Sequence, residues 1–364
     1  MPSGGSLGQA ARGWAWRWRF VILAVGLAMA LTGAGRATPV AASPPPDLDA
    51  SGAYAFLAFC RAAREGHPWS EAAIRSLAVS APYRAMIAHH ASLDSTVTPE
   101  AFVAMLLALR NGRPYPGPTG RLMRIHATYK AALSELPQLE ARLAAICSAD
   151  VVAGALARAQ AHLPPGTPLP TQVWLLADGF TRAYSEGKVV VVDLLQTSRA
   201  SSLESQLAHE LHLAGTAALL PPTCPDPQLG LALDTLASMV QEGAATAWIN
   251  GWRAAPSRSD GEQVAGFMRA VLASKLAPEE TESWFSGLID DGRDGGGPLY
   301  RLGNALVVEL TERYGQAWVR ARLSDPVALL RAWQGTAGDG PFEEVLALLE
   351  NGRDRCPEWL TSKR

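Results

Sequence analysis

The sequence predicts a mainly α-helical (α+β) protein with one small β-sheet near the middle of the chain. Between about residues 50 and 162, apolar residues recur at three- and four-residue spacings, which is typical of amphipathic helices. Two short segments rich in β-branched residues follow, and helical patterns then continue to the C-terminus. We therefore expect a helical N-terminal region followed by a domain that combines helices with a small sheet.

The first 42 residues have the features of a signal peptide. A segment with three arginines precedes an apolar run over residues 20–35, and Val40 and Ala42 satisfy the small-residue rule for cleavage after Ala42. We expect export of the remaining chain to the periplasm or the extracellular space. An uncleaved N-terminal membrane anchor is the alternative, although the run is shorter than the roughly 20 apolar residues of a spanning helix.

The charge of the chain excludes some classes of partner. The full chain has a formal net charge of −2, and residues 1–42 contain four arginines and no acidic residue. The mature chain therefore carries a net charge of −6. This charge argues against a nucleic-acid partner and against an anionic membrane surface.

The four cysteines permit disulfide bonds in an exported chain. They are Cys60, Cys147, Cys224 and Cys356, and four cysteines allow three pairings among which the sequence does not choose. Cys60 and Cys147 lie in apolar helical stretches, where an unpaired buried thiol is the alternative.

The elements can be predicted in order along the chain, with a division into residues 43–165 and residues 166–364. Loop and breaker residues set most of the limits. The predicted elements are a linker at 43–49, five or six helices within 50–162, strands within 171–179 and 188–196 separated by a glycine-bearing turn, helices at about 203–219 and 229–252, and two or three helices after the glycine-rich loop 290–298.

The segment "SQLAHELHLAG" contains most of a known zinc motif. In H-E-x-x-H, two imidazoles four residues apart on one helix face bind one zinc, and the glutamate acts on the bound water. Here His209 and Glu210 are followed by Leu213 at the second ligand position, and a histidine stands one residue earlier, at His212. At about 100° per residue, Leu213 projects between His209 and Glu210, whereas His212 projects on the far side of His209. A metal shared by His209 and His212 would therefore be drawn away from Glu210.

The order of several motifs resembles a bacterial family of zinc-dependent peptidases of the gluzincin type. That family combines a helical N-terminal half, a small sheet entered through an "LP…V" segment, H-E-x-x-H often written H-E-L-H-H, then E-G-x-A and a Y-x-x-G helix. The corresponding stretches here are "HLPPGTPLPTQVWLLADG", "LAHELHLAG", "QEGAAT" and "LYRLGNALVVELTERYG". Together these stretches extend over nearly the whole mature chain.

The resemblance implies a role for each residue of the motif. His209 and Glu242 would be zinc ligands and Glu210 the general base. His212 would match the middle histidine of H-E-L-H-H, which is not a ligand, and its recruitment as a substitute ligand is the alternative. Because Leu213 replaces one imidazole, we expect zinc binding to be weak or absent.

Tyr300 and the remaining histidines have less specific signals. Tyr300 is either a donor that stabilises an oxyanion or a tyrosine packed at a helix start. We expect the other histidines to be surface or packed side chains. They are His67, His89, His90, His126 and His162.

Two functional hypotheses follow. In the first, the protein is an exported zinc-dependent metallopeptidase with an altered site, which hydrolyses a peptide or protein substrate. In the second, it is an inactive relative (a pseudoenzyme) that uses the peptidase fold as a binding or scaffold domain. Leu213 favours the second hypothesis, and the retention of His209, Glu210 and Glu242 favours the first.

Overall fold

A computed structural model describes residues 47–67, 69–289, 296–337 and 340–360. Within these ranges the protein is mainly helical with one small four-stranded sheet, which confirms the predicted fold class. The predicted signal peptide, residues 1–42, lies outside the described residues. Among the described helices, none has the length and apolar character needed to cross a bilayer.

The described chain divides into two compact units. The first unit contains residues 47–161 and Pro168–Ala214, and the second contains His162–Thr167 and residues 215–360. The sheet is therefore grouped with the N-terminal helices. This division is one of spatial compactness, and the domain boundary between residues 165 and 166 stays a prediction.

The first unit begins with a short strand and seven helices, counted over its described residues. Side-chain caps account for two of the helix starts, because Ser70 accepts a hydrogen bond from the Ala73 amide and Thr98 from the Ala101 amide. The elements are β1 (Asp47–Asp49), α1 (Ser51–Arg64), α2 (Glu71–Val79), α3 (Ala81–Leu93), α4 (Pro99–Arg110), α5 (Arg121–Ser134), α6 (Leu136–Ser148) and α7 (Val151–Ala161). The predicted linker at 43–49 is therefore wrong in part, since β1 pairs with the sheet.

The sheet has the strand order β1-β2-β4-β3, where β2 is Gln172–Leu176, β3 is Ala183–Glu186 and β4 is Val189–Asp193. β1, β2 and β4 are parallel, and β3 is an antiparallel edge strand. The sequence predicted only a turn between β2 and β4. The structure corrects this, because Gly187 adopts a φ of 61° in the two-residue loop and so allows a tight hairpin between β3 and β4.

A buried polar cluster lies at the ends of β2 and β4. His90 Nε2 lies 3.0 Å from Asp178 Oδ2, and both side chains are fully buried. The Asp193 carboxylate accepts hydrogen bonds from the backbone N–H groups of Asp178 (2.9 Å) and Gly179 (3.0 Å). Burial and the neighbouring Asp178 raise the pKa of Asp193 to about 8. The cluster therefore ties α3 to the connection between β2 and β3.

His89 stacks on Tyr184 of the edge strand, with ring centroids 3.7 Å apart. Burial lowers the pKa of His89 to about 3, and His90 lowers it further in the same direction. In the unfolded chain the His89 imidazole takes up a proton near pH 6.5, whereas in the folded chain it stays neutral until the pH approaches 3. The contribution of the neutral, buried His89 to the free energy of unfolding is therefore fully present above pH 6.5, and it is lost as the pH falls towards 3.

We expect the free energy of unfolding to fall on acidification by up to about 1.4 kcal/mol per pH unit because of His89. His89→Phe keeps a ring stacked on Tyr184 and removes the titration. Urea unfolding of the wild type and of His89→Phe at pH 7 and pH 5 gives the loss of unfolding free energy for each protein. The contributions of the other titrating groups cancel when the two losses are subtracted. An equal loss in the two proteins would refute the assignment to His89.

The long helix α8 (Ala200–Leu219) follows the sheet, and the remaining elements belong to the second unit. They are α9 (Pro227–Ala244), a π-helical turn (Ala245–Ile249), α10 (Arg258–Leu272), α11 (Pro278–Ile289), α12 (Pro298–Tyr314), α13 (Gln316–Arg320), α14 (Pro326–Ala337), α15 (Glu343–Asn351), a 3₁₀ turn (Arg353–Arg355) and α16 (Pro357–Leu360). The prediction of two or three C-terminal helices is wrong. Over the described residues after 296, breaks such as Gly315, at a φ of 83°, divide the helical pattern into five α-helices.

Cys224 and Cys356 form a disulfide in the second unit, with Cα atoms 5.3 Å apart. It joins the loop before α9 to the segment before α16. The other two cysteines are free: Cys60 is buried in α1 and Cys147 is exposed. The alternative of an unpaired buried thiol is therefore confirmed for Cys60, whereas Cys147 is unpaired but exposed.

Candidate functional site

Helix α8 separates the residues of the HELH segment onto two faces. Leu203, Leu207 and Leu211 are fully buried at four-residue spacing and define the inner face of the helix. His212 is also fully buried, next to this stripe. The three other positions of the predicted motif, which are His209, Glu210 and Leu213, are half-buried.

The edge strand of the sheet contacts α8 at the candidate site. The Ser185 hydroxyl donates a hydrogen bond to the Glu210 backbone carbonyl (3.3 Å). Before the helix begins, the Thr197 hydroxyl donates to the Asp193 carbonyl (2.7 Å), and Gln206 Oε1 of α8 lies 3.3 Å from the same hydroxyl. Ser185 of β3 and Thr197, which follows β4, are therefore each hydrogen-bonded to α8.

Glu242 lies near the end of α9 in the second unit and is half-buried. The next residue, Gly243, lies against the backbone of Gly303 in α12, where a Cβ atom would overlap the Gly303 carbonyl. Gly303 lies equally close to the Met239 carbonyl. The two glycines of the E-G and Y-x-x-G motifs therefore meet where α9 and α12 cross, and their absent side chains permit the close approach.

Tyr300 lies in the first turn of α12 and is half-buried. The adjacent Arg301 forms a buried ion pair with Asp260, with Nη2 and Oδ1 2.6 Å apart. Burial alone would raise the pKa of Asp260, but hydrogen bonds from Arg301 and Ser257 outweigh it and hold the pKa below its ordinary value. The start of α12 is therefore fixed beside Tyr300.

The donor set does not fit a complete three-ligand zinc centre. Imidazole and carboxylate groups are suitable zinc donors, but the aliphatic Leu213 offers none at the position of the second imidazole. Over the described ranges, no three His, Cys, Asp or Glu side chains come together as a metal-binding group. His209, Glu210 and His212 belong to the first unit, and Glu242 and Tyr300 to the second. A shared site for these five residues stays a prediction.

Comparison with protein families assigns the chain to one of them. Residues 74–292, more than half of the chain, match the family described as "Putative zinc dependent peptidase". The protein belongs to this family, which confirms the resemblance at the level of the family; the gluzincin type stays a prediction. No curated protein and no solved structure matches the chain.

Two features of the site region were not predicted from the sequence. The edge strand β3 was assigned to a turn, and the helix 229–252 was predicted as continuous although α9 ends at Ala244 and a π-helical turn follows. The glycines of the two motifs are compatible with a close approach of two backbones, but they do not predict the π-helical turn.

Proposed function

We propose that this protein is an exported peptidase whose metal-binding set is altered at Leu213. The observation that carries the proposal is the position of His209 and Glu210 on one half-buried helix face, next to the edge strand β3. Membership of the zinc-dependent peptidase family supports the class of reaction. We therefore assign the protein to the hydrolases that act on peptide bonds.

The proposed substrate is an extended segment of a peptide or protein. Within the described chain, β3 pairs with β4 and its outer edge has no partner strand. An extended peptide can add to such an edge through main-chain hydrogen bonds. Ser185 would hold this edge next to Glu210, so that a bound peptide bond lies near the carboxylate.

Glu210 is the proposed general base. Its carboxylate would take a proton from the attacking water and return it to the leaving amine, and a half-buried position keeps the group accessible to both. By the family resemblance, His209 and Glu242 are the proposed zinc ligands and Tyr300 the proposed oxyanion donor. His212 is the proposed substitute ligand, although its side chain is buried. We propose weak zinc binding, because Leu213 supplies no donor.

The disulfide supports the proposed export. Disulfides persist in oxidising compartments and are rare in the cytosol, and Cys224 is paired with Cys356 in the second unit. The signal-peptide features of residues 1–42 lead to the same compartment. An N-terminal anchor would place the same domain on the outer side of a membrane.

The experiment compares Glu210→Gln with Glu204→Gln in the purified mature protein. Both substitutions remove one carboxylate from α8, but Glu204 lies against Gly154 of α7, away from the motif. Hydrolysis of an unfolded protein substrate, followed by mass spectrometry with added zinc, should fall about 10²- to 10⁴-fold for Glu210→Gln only. Equal losses would contradict the proposal. Peptide binding without hydrolysis in the wild type would support the scaffold hypothesis instead.

A further inference from the structure

Two arginines at the beginning of α5 share one aromatic ring. The guanidinium carbons of Arg121 and Arg124 lie 4.5 Å and 4.7 Å from the centroid of the Phe180 ring. Each cation is attracted to the face of the ring, but the two cations also repel each other at this short range. Within the residues that the structure describes, neither guanidinium forms a hydrogen bond or an ion pair. The arginine pair, Arg121 and Arg124, therefore concentrates two positive charges that no described carboxylate neutralises by direct contact.

Arg121 is half-buried, and this burial lowers the pKa of its guanidinium below the ordinary value. The carboxylates of Asp94 and Asp178 oppose the shift, whereas Arg124 adds to it. The Asp94 carboxylate accepts hydrogen bonds from the backbone N–H groups of Arg121 (3.1 Å) and Thr96 (3.0 Å) rather than from a guanidinium. An added anion would therefore find both guanidiniums available, and it would reduce the repulsion between them.

The loop that carries Phe180 is held against the same helix. The Asp178 carboxylate accepts hydrogen bonds from the backbone N–H groups of Phe180 (3.0 Å) and Thr181 (2.7 Å). Tyr129 of α5 is fully buried, and its hydroxyl donates to the Ala177 carbonyl (2.5 Å). The ring and the arginine pair therefore have a fixed relation within the first unit, which lowers the cost of ordering them around a ligand.

The arginine pair lies near the beginning of the edge strand β3. The Arg182 carbonyl accepts a hydrogen bond from the Asp193 N–H (2.9 Å), so the pairing of this strand with β4 extends to residue 182. Phe180 is two residues earlier, and two residues span at most about 7 Å. A peptide added to the outer edge of β3 would therefore reach the arginine pair at this end of the strand. A peptide that ends there presents a carboxylate, which matches guanidinium groups in charge and in hydrogen-bond geometry.

We propose that Arg121 and Arg124 bind the C-terminal carboxylate of a peptide that pairs with β3. The proposal rests on the proposed function for the peptide at β3, but it requires neither zinc nor hydrolysis. Because the carboxylate lies at the Arg182 end of the strand, the peptide runs antiparallel to β3. At about 3.3 Å per residue, a peptide bond beside Ser185 then lies a few residues before the terminus. The substrate class is therefore peptides and unfolded chains with a free carboxyl terminus.

The test measures the binding of a short peptide to the full mature chain by fluorescence anisotropy. The probe is one N-terminally labelled hexapeptide, made with a free C-terminal carboxylate and as the C-terminal amide. The wild type should bind the acid at least about 10-fold more tightly than the amide, although the net charge of −6 disfavours the acid. Arg121→Gln and Arg124→Gln should each remove most of this preference. Lys130→Gln removes an exposed positive charge from the same helix and should keep the preference.

Two further probes define which group is bound. The hexapeptide amide with glutamate as its last residue carries only a side-chain carboxylate there, and binding as tight as that of the acid would contradict recognition of the terminus. N-acetylalanine and its amide test the arginine pair without a strand. The acid should shift the NMR signals of the Arg121 and Arg124 Nε–H groups, whereas the amide should not. The absence of these shifts with the acid would overturn the inference.

The outcomes separate a failure of this inference from a failure of the proposed function. Equal binding of the acid and the amide hexapeptides by the wild type would overturn the inference and leave the peptide at β3 intact. Binding of neither hexapeptide would contradict the proposed substrate, and N-acetylalanine would then decide whether the arginine pair binds a carboxylate. Loss of the preference in Lys130→Gln, to the same extent as in the two arginine variants, would indicate a general effect of charge and would also contradict the inference.

Discussion

Gly303→Ala is expected to lower the free energy of unfolding by about 3 kcal/mol or more. The new Cβ atom would overlap the backbone carbonyl of Met239, which cannot rotate away as a side chain could. Helices α9 and α12 would have to separate along their crossing and lose the contacts made on both sides of Gly243. Denaturant unfolding of the purified variant measures the change, provided that the variant folds.

Gly287→Ala is the matched control for this prediction. Gly287 is an exposed residue of α11, and a Cβ atom there would meet no atom of the described residues within 4 Å. Alanine is the better helix former, so this variant should gain about 0.5–1 kcal/mol. A Gly303→Ala protein as stable as Gly287→Ala would contradict the close crossing of the two helices. Low yield of folded Gly303→Ala, with normal yield of the control, would agree with it.

Leu213→His is expected to increase zinc affinity by at least 10- to 100-fold and to produce or increase peptide hydrolysis. The substitution places an imidazole one helical turn after His209, on the half-buried face that also presents Glu210. It thereby completes the H-E-x-x-H motif. Zinc affinity by chelator competition and hydrolysis of an unfolded protein substrate measure the effect.

His212→Ala separates the possible sources of zinc binding in the wild type. A loss of residual affinity in this variant would mean that the buried His212 has been recruited as a ligand, together with a local rearrangement of α8. Tight stoichiometric zinc in the wild type, insensitive to His212→Ala, would mean that another residue supplies the missing ligand. No gain from Leu213→His would contradict an altered zinc site.

Most helices could be predicted because their signals are local. Capping residues such as Ser70 and Thr98 and the regular spacing of apolar residues identify a helix within one short window. β1 and β3 were missed because they contain three and four residues and lack the β-branched runs of β4. Each is defined as a strand by its pairing partner, which lies elsewhere in the chain.

In the candidate site, too, the features that depend on local helix geometry could be predicted from the sequence. The faces of α8 follow from helical geometry, and the burial of His212 together with the half-buried position of Leu213 agrees with that geometry. The hydrogen bond from the Asn304 side-chain amide to the Thr246 hydroxyl was not predictable, because it joins residues 58 apart in sequence. That bond exists only because α9 and α12 cross at two glycines, and the crossing depends on tertiary packing.

The bond between Cys224 and Cys356 has a consequence for the survival of the protein after proteolytic cleavage. A single peptide-bond cleavage anywhere between the two cysteines would leave both fragments in one covalent molecule. Reassociation of the fragments would then be intramolecular and independent of dilution. Exposed loops are the usual sites of such cleavage, and several connect the helices within this span. A nicked molecule would therefore keep both fragments of the second unit together.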